Sequence, residues 1–193
     1  MASSNIIQTQ CYHSPCGELL IASFKDKLCL CDWTARRHRD SVDRRLQAAL
    51  QADFCEGTSD VLREAVRQLD EYFSGQRITF DIPLLLAGTE FQQRVWSVLK
   101  EIPYGDTVSY KELAYRLSVP EAIRAVANAN GANVLSLFIP CHRVIGSNRS
   151  LTDTLADSMQ NVGCSIWNTA IANLPGSKLS IKKRTSLRSP SPL

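Results

Sequence analysis

The stretch SYKELAYRLSVPEAIRAVANANGANVLSLFIPCHRVIGSN, residues 109–148, decides the expected fold of the second half of the chain. Ser109 followed by Glu112 is a capping box that begins one short helix. Pro120 is placed to begin a second helix, with Gly131 as its C-cap. Two short helices joined by a tight turn, behind a longer helix, are the layout of a helix-turn-helix. The pattern alone also fits other helical hairpins.

The second of these helices, EAIRAVANAN, has an unusually small surface. After Glu121 at its start, its long polar side chains are Arg124 and two asparagines, and its alanines are Ala122, Ala125, Ala127 and Ala129. A helix that reads base edges in a major groove usually carries several long polar side chains. A bare helix instead suits a narrow groove, where a single arginine can enter the base stack as a wedge. The alternative is that the alanines pack against another helix.

The residues after SLFI, a predicted buried strand, carry the reactive chemistry. Pro140 ends this strand and is followed directly by Cys141, His142 and Arg143. A cysteine is a nucleophile as its thiolate, and cationic neighbours lower the thiol pKa. A neighbouring histidine can also accept the thiol proton. A Cys-His pair on its own is usually coincidental, and the whole string around it is far more specific.

Upstream of this stretch, the pattern predicts further elements. Thr89 followed by Gln92 begins a helix with one apolar face. The segments GELLIASF and KLCLCDW alternate as antiparallel strands joined by a turn near Lys25 and Asp26. Helices are predicted within ARRHRDSVDRRLQAAL and over 59–74, and ITFDIPLLLAG is predicted as a strand that runs into a loop. The arginines of the first helix indicate a solvated face more than phosphate contacts: Arg36, Arg37, Arg39, Arg44 and Arg45.

Composition is that of an ordinary globular protein, with 44% hydrophobic and 21% charged residues. The start of the chain, MASSNIIQTQCYH, has no basic region followed by an apolar core, and no apolar run is long enough to span a bilayer. We therefore expect a cytoplasmic protein without a membrane partner. The net charge of +3 arises in residues 149–193, and the rest is close to neutral, so global charge indicates nothing about DNA.

The seven cysteines do not predict a disulfide framework, because their number is odd and no secretory signal is visible. Cys29 and Cys31 share a face if LCLCDW is a strand. Together with Cys11 and Cys16 they fit the spacing of a zinc site poorly. We therefore interpret these cysteines as small buried hydrophobic residues and expect no metal.

The string IPCHRVIGSN, preceded by RAVANANGAN and SYKELA, resembles the DNA-binding half of the O6-alkylguanine-DNA alkyltransferases, also called methylated-DNA–protein-cysteine methyltransferases. The Pro-Cys-His-Arg-Val core of that family stands here at 140–144. SPCGELLIAS and Trp33 resemble the smaller α/β domain of the family. The resemblance covers residues 12–150. It predicts an α/β N-terminal support domain with a small antiparallel sheet and helices, 1–86, and a mainly α-helical, winged-helix-like DNA-binding alkyltransferase domain, 87–152.

The resemblance implies DNA repair in which Cys141 accepts a methyl or alkyl group from O6-alkylguanine, and from O4-alkylthymine as a further candidate. The base must first leave the stack. His142 would relay the thiol proton through a water molecule, and Tyr110 would hydrogen-bond the departing base. Asn133 would brace the active-site turn, and Arg143 would have a structural role. The thioether product is not hydrolysed, so each molecule acts once and needs no cofactor.

The resemblance also implies how the partner, double-stranded DNA carrying O6-alkylguanine, is bound. The second helix would lie in the minor groove of the DNA, with Arg124 filling the place of the flipped nucleotide and with Ala125, Ala127 and Asn128 at the interface. The protein would act as a monomer.

Two departures from the family pattern stand out. The family usually has proline after the asparagine that matches Asn133, and this chain has Val134, which loosens the turn without removing chemistry. After GSN, the family's Gly-Tyr-Ala-Gly-Gly-Leu type of loop and its final helix ending in glutamate are missing. Shifting the reading frame by one base from Asp153 allows DTLADSMQNVGCSIWNTA to be read as GYAGGLDAKRWLLDLEHG. We infer a single-base deletion there, which makes 153–193 an out-of-frame tail that is expected to be disordered.

Three alternatives to an active alkyltransferase stay open at this point. One is a lesion sensor that binds alkylated DNA without reacting, although such proteins lack the cysteine. Another is an inactive product of a frameshifted alkyltransferase gene, because the missing glutamate would orient His142. The third is an unrelated Cys-His hydrolase, for which no orienting group or oxyanion hole is marked in the sequence.

Overall fold

The computed structural model of the chain describes residues 5–146. The predicted out-of-frame tail, 153–193, lies outside the described residues. The described elements of the first half are β1 (Ile6–Ser14), β2 (Gly17–Phe24), β3 (Lys27–Trp33), α1 (Arg39–Leu50), β4 (Asp53–Glu56) and α2 (Asp60–Phe73). Those of the second half are α3 (Glu90–Lys100), β5 (Val108–Ser109), α4 (Tyr110–Arg116), α5 (Ile123–Gly131), a 3-10 helix (Cys141–Arg143) and β6 (Val144–Ile145).

The sheet of the first half has the order β3-β2-β1-β4. The β2–β3 hairpin is antiparallel, and Lys25 and Asp26 at its turn both have positive φ, which matches the right-handed twist of the strands. This turn is where the sequence predicts it. The sheet is mixed rather than wholly antiparallel, because α1 carries the chain to the far edge, where β4 runs parallel to β1. Helix α1 covers one face of the sheet and α2 covers the other.

The prediction that Cys29 and Cys31 share a face is wrong. The register between β2 and β3 shifts after Ala22, which pairs with Leu30, while Ser23 pairs with Leu28. Cys29 is the extra residue of this β-bulge, so it turns to the α1 side of the sheet, whereas Cys31 faces the α2 side.

The four cysteines weighed for a metal site differ in burial. Cys16, Cys29 and Cys31 are buried, as the hydrophobic interpretation requires, but Cys11 is exposed. Among residues 5–146, no group of three or more His, Cys, Asp and Glu side chains lies close enough together to hold a metal ion.

Two predicted strands are not strands. ITFDIPLLLAG makes a single bridge, between Leu28 and Leu84, since Pro83 has no N–H with which to extend a ladder. SLFI is buried, as expected, but Leu137 has a φ of 73°, and this left-handed residue folds 135–139 into a turn. The turn is held by Ile139 N–H donating to the Leu135 carbonyl at 2.8 Å.

The helix-turn-helix forms, with corrected ends. The Thr89–Gln92 capping box of α3 is present in both directions, and the Ser109 hydroxyl accepts from the Glu112 N–H at the start of α4. Helix α5, however, begins at Ile123 rather than at Pro120, and its C-cap is Ala132 rather than Gly131. Pro120 instead lies in the turn between α4 and α5, which Ala122 N–H closes by donating to the Val119 carbonyl.

Candidate active site

Cys141 lies at the start of the 3-10 helix, directly after a turn that Asn133 holds together. The Asn133 Nδ2 donates to the Ile139 carbonyl at 3.1 Å, and its Oδ1 accepts from the Leu135 N–H at 2.9 Å. Asn133 is buried, so these bonds are shielded from water. One asparagine thus closes the turn at both ends and sets the position from which Cys141 emerges.

The Cys141 thiol is not activated in this state. Burial raises its pKa above the ordinary value. A hydrogen bond from Asn133 and the charge of Arg36 lower the pKa, while Asp32 raises it further. Burial outweighs the cationic neighbours that the sequence analysis emphasised. The group is therefore a neutral thiol at pH 7.

His142 is also neutral. Burial, followed by the nearby charge of Arg143, lowers the imidazole pKa from 6.5 to about 3. A neutral imidazole can accept a proton, but the environment disfavours the imidazolium that results. The thiol and the imidazole are thus both neutral, and their surroundings do not stabilise a thiolate or an imidazolium.

Tyr110 and Cys141 are linked through Asn130, a residue that the sequence analysis missed. The Asn130 Nδ2 lies 3.4 Å from the Tyr110 hydroxyl and 3.4 Å from the Cys141 carbonyl oxygen. All three residues are buried, and Asn130 is 1% exposed. The signal for Asn130 was its helical spacing from Val126, which places an amide on the buried side of α5.

Arg36, from the segment after β3, is the second residue that was missed. Its guanidinium donates to the carbonyls of Gly131 at 2.7 Å and Asn133 at 2.9 Å, and it pairs with Asp32 at 2.7 Å. The carbonyls at the end of α5 lack partners within the helix, and a buried carboxylate needs a cation, so one arginine satisfies both requirements.

The prediction of a solvated arginine face is therefore wrong for Arg36 and Arg39, whose side chains are 11% and 15% exposed. Arg39 pairs with Asp43 at 2.8 Å, on the side of α1 that faces the protein. Arg37 and Arg44 are exposed, as the sequence analysis expects.

The solvent side of α5 is formed by residues predicted to contact DNA. Arg124, Ala125 and Asn128 are exposed, and Ala127 is half-buried. Ala129 is buried against the rest of the molecule. The alternative of alanines packed on another helix therefore applies to Ala129 and not to Ala125.

Arg143 anchors the end of the 3-10 helix to the rest of the second half. Its Nη1 donates to the Ile102 carbonyl at 2.6 Å, and its guanidinium lies 5.5 Å from the centre of the Tyr104 ring. These contacts fit the structural role expected of it. No helix within residues 5–146 is both long enough and apolar enough to cross a membrane.

Two family models match this chain, one after the other. The ribonuclease-like domain of 6-O-methylguanine DNA methyltransferase matches residues 7–86, and its DNA-binding domain matches residues 90–163. The chain belongs to the 6-O-methylguanine DNA methyltransferase family. The second match runs past Asp153, and the change of reading frame inferred there stays a prediction.

Relatives and solved structures agree with this assignment. The methylated-DNA–protein-cysteine methyltransferase of Methanosarcina barkeri is 43% identical over 72% of this chain and 82% of its own. The constitutive enzyme of that name from Bacillus subtilis is 43% identical over 72% of this chain and 81% of its own. The crystal structure of Mycobacterium tuberculosis OGT in complex with DNA is 37% identical, with a TM-score of 0.66 over 75% of this chain and 82% of that one.

Proposed function

We propose that this chain repairs alkylated DNA by transferring an alkyl group from guanine O6 to Cys141. The observation that carries the proposal is the placement of Cys141. It stands at the start of the 3-10 helix, on a turn braced by Asn133, and its backbone carbonyl shares one buried amide with the Tyr110 hydroxyl. Membership of the family supports the reaction class.

The reaction is a direct displacement. The Cys141 sulfur forms a bond to the alkyl carbon while the bond between that carbon and O6 breaks, and the electron pair of the broken bond leaves with guanine. The thiol proton passes through water to His142. Tyr110 donates a hydrogen bond to the departing base and offsets its developing charge. The thioether persists, so one molecule repairs one lesion and no cofactor takes part.

DNA binding through α5 completes the proposal. The small, exposed surface around Ala125 lets the helix approach the floor of the minor groove, and the exposed Arg124 takes the place of the extruded nucleotide in the stack. Because burial keeps both the Cys141 thiol and His142 neutral, we expect the unbound protein to react slowly with other electrophiles.

We propose two domains, a monomeric state and a cytoplasmic location for this chain. Residues 1–86 form a support domain and 87–152 form the alkyltransferase domain, which is consistent with the two family matches. The protein acts as a monomer, because Cys141, His142 and Tyr110 all come from a single chain. It resides in the cytoplasm, in line with the six cysteines of the described region, which are all unpaired, as is usual in a reducing compartment.

The test is incubation of the 193-residue chain with duplex DNA that carries a radiolabelled O6-methylguanine. Label is expected on the protein, at Cys141 by mass spectrometry. Cys141→Ala should abolish transfer and keep DNA binding, while the matched control Cys55→Ala, which removes an exposed thiol, should leave transfer intact.

Other outcomes separate the competing functions. Label on Cys16 or Cys55 would remove Cys141 from its role. Binding of methylated DNA without any transfer would favour a lesion sensor or an inactive frameshift product. If the chain neither binds methylated DNA nor accepts the label, a Cys-His hydrolase is the remaining candidate.

A further inference from the structure

Asn130 is a buried amide between two groups of the proposed reaction. Its Nδ2 lies 3.4 Å from the Tyr110 hydroxyl oxygen and 3.4 Å from the carbonyl oxygen of Cys141. Its Oδ1 is buried and has no hydrogen-bond partner among the described residues. Asn130 is 1% exposed, and burying an amide costs free energy unless its polar atoms are hydrogen-bonded. An apolar residue of the same size would pack at this position of the helix without needing hydrogen bonds.

The Cys141 carbonyl decides which way this amide points. A carbonyl oxygen only accepts hydrogen bonds, so the atom of Asn130 that faces it must be the NH2 nitrogen. The same nitrogen faces the Tyr110 oxygen. Its two hydrogens therefore go to two acceptors, and the opposite orientation of the amide would place two oxygens against each other.

The orientation of the amide in turn decides the role of the Tyr110 hydroxyl. A hydroxyl can donate or accept. Because Asn130 has only N–H groups on this side, the Tyr110 oxygen accepts from it, and the hydroxyl hydrogen of Tyr110 is not used in that contact. An N–H that donates to a phenol oxygen also stabilises negative charge on that oxygen, which makes the phenol a better donor to a base that departs as an anion.

We infer that Asn130 is a positioning residue for the transfer reaction, which holds the Tyr110 hydroxyl as an acceptor so that its own hydrogen is directed to the departing base. This inference rests on the proposed function. It adds a residue that acts through Tyr110 and ties the orientation of that hydroxyl to the backbone of the nucleophile.

The test is a double-mutant cycle on single-turnover transfer from duplex DNA containing O6-methylguanine. Asn130→Leu keeps the size of the side chain and removes the amide. It should slow transfer about fivefold to tenfold in the parent chain. In a Tyr110→Phe background, where there is no hydroxyl left to position, the same change should slow transfer less than about twofold.

A structural role for Asn130 predicts a different result. If the amide only supports folding, Asn130→Leu slows both backgrounds by the same factor, and the inference is overturned. Gln68→Met is the matched control: Gln68 is an equally buried amide, 1% exposed, on α2. Its loss should lower the melting temperature and leave the effect of Tyr110→Phe on the rate unchanged.

A further measurement separates this inference from the proposed function. If the parent chain transfers no label at all, the proposed function fails for this chain, and the contact itself is then examined by NMR of protein labelled with 13Cζ-tyrosine. The Tyr110 signal, assigned with Tyr110→Phe, should shift in Asn130→Leu. An unchanged signal shows that the amide does not bond the hydroxyl and overturns the inference.

Discussion

At the residue scale, the protonation of His142 links the chemistry of the site to the stability of the fold. Its imidazole is buried and has a pKa of about 3, well below the 6.5 expected for an exposed histidine. In the unfolded chain the same group binds a proton below pH 6.5. Between pH 6.5 and 3 the unfolded state therefore holds more protons than the folded state, and the free energy of unfolding decreases as the pH falls.

The expected size of this effect is measurable. From pH 7 to pH 5, His142 should remove about 2 kcal/mol from the free energy of unfolding, since each pH unit contributes at most about 1.4 kcal/mol. His142→Gln lacks the titrating group and should lose that much less over the same interval. Denaturant unfolding of both proteins at pH 7, 6 and 5 checks the difference, and parallel pH dependences would show that His142 is not buried as a neutral group.

At the element scale, α5 combines a bare outer side with a buried polar inner side. Ala125 and Asn128 face solvent, while Val126 and Asn130 face the site. Asn130 contacts both Tyr110 and Cys141. If DNA bound to α5 displaced the helix, the distances in these two contacts would change. The proposed binding surface and the positioning role inferred for Asn130 therefore lie on opposite sides of one helix.

Arg124 should matter for duplex DNA and not for the transfer chemistry itself. Arg124→Ala is expected to slow transfer from duplex DNA about tenfold. Without the arginine, no side chain occupies the position of the extruded nucleotide, so the extruded state is less stable. Reaction with a free O6-alkylated guanine analogue should change little. Arg116→Ala, which removes an equal charge from α4, is the control. Equal slowing of Arg124→Ala on both substrates would contradict the wedge role.

At the scale of the whole molecule, the two halves of the chain are joined by polar contacts around Asp32. The Cys31 N–H donates to the Val134 carbonyl, and the Ser136 N–H donates to the Cys31 carbonyl at 2.7 Å, which pairs β3 with the active-site turn. Burial raises the Asp32 pKa, while Arg36 and Arg39 oppose the shift. The first half of the chain thus holds the turn that carries Cys141.

Arg36→Leu should destabilise the protein strongly. It leaves the carboxylate of Asp32, 2% exposed, without its closest cation, and the loss of one partner of a buried pair is typically about 3–5 kcal/mol. Chemical denaturation measures the change. Asp32→Asn in the same chain should recover part of the loss, and Arg37→Leu, at an exposed position, should have little effect. Equal stabilities of the Arg36 and Arg37 variants would contradict the role of this pair.

The inferred change of reading frame predicts a difference between the 193-residue chain and a chain with the restored frame. Restoring one base before the remainder of the Asp153 codon should return the family's closing motif, including the glutamate that would orient His142. Transfer activity and melting temperature should then rise together. The transfer rate should rise by orders of magnitude if the present proton relay lacks one member. If the 193-residue chain already reacts and melts like the restored protein, the out-of-frame tail does not lower activity or stability, and this prediction is wrong.

Features set by neighbours along the chain could be predicted from the sequence alone. The capping box at Thr89, the N-cap at Ser109 and the turn at Lys25 and Asp26 all depend on contacts within a few residues. The string IPCHRVIGSN, together with RAVANANGAN and SYKELA before it, was also sufficient to predict the family, since its specificity lies in consecutive residues. Local geometry needs no knowledge of the rest of the fold.

Features set by distant partners were decided only by the tertiary structure. Arg36 bonds to Gly131, which is 95 residues away, and Tyr110 meets Asn130 only because α4 and α5 pack together. The β-bulge that turns Cys29 away from Cys31 belongs to the pairing of two strands rather than to either strand. Burial then reversed the expected activation of Cys141, because desolvation disfavours the thiolate more than the neighbouring cations favour it, and desolvation depends on the whole fold.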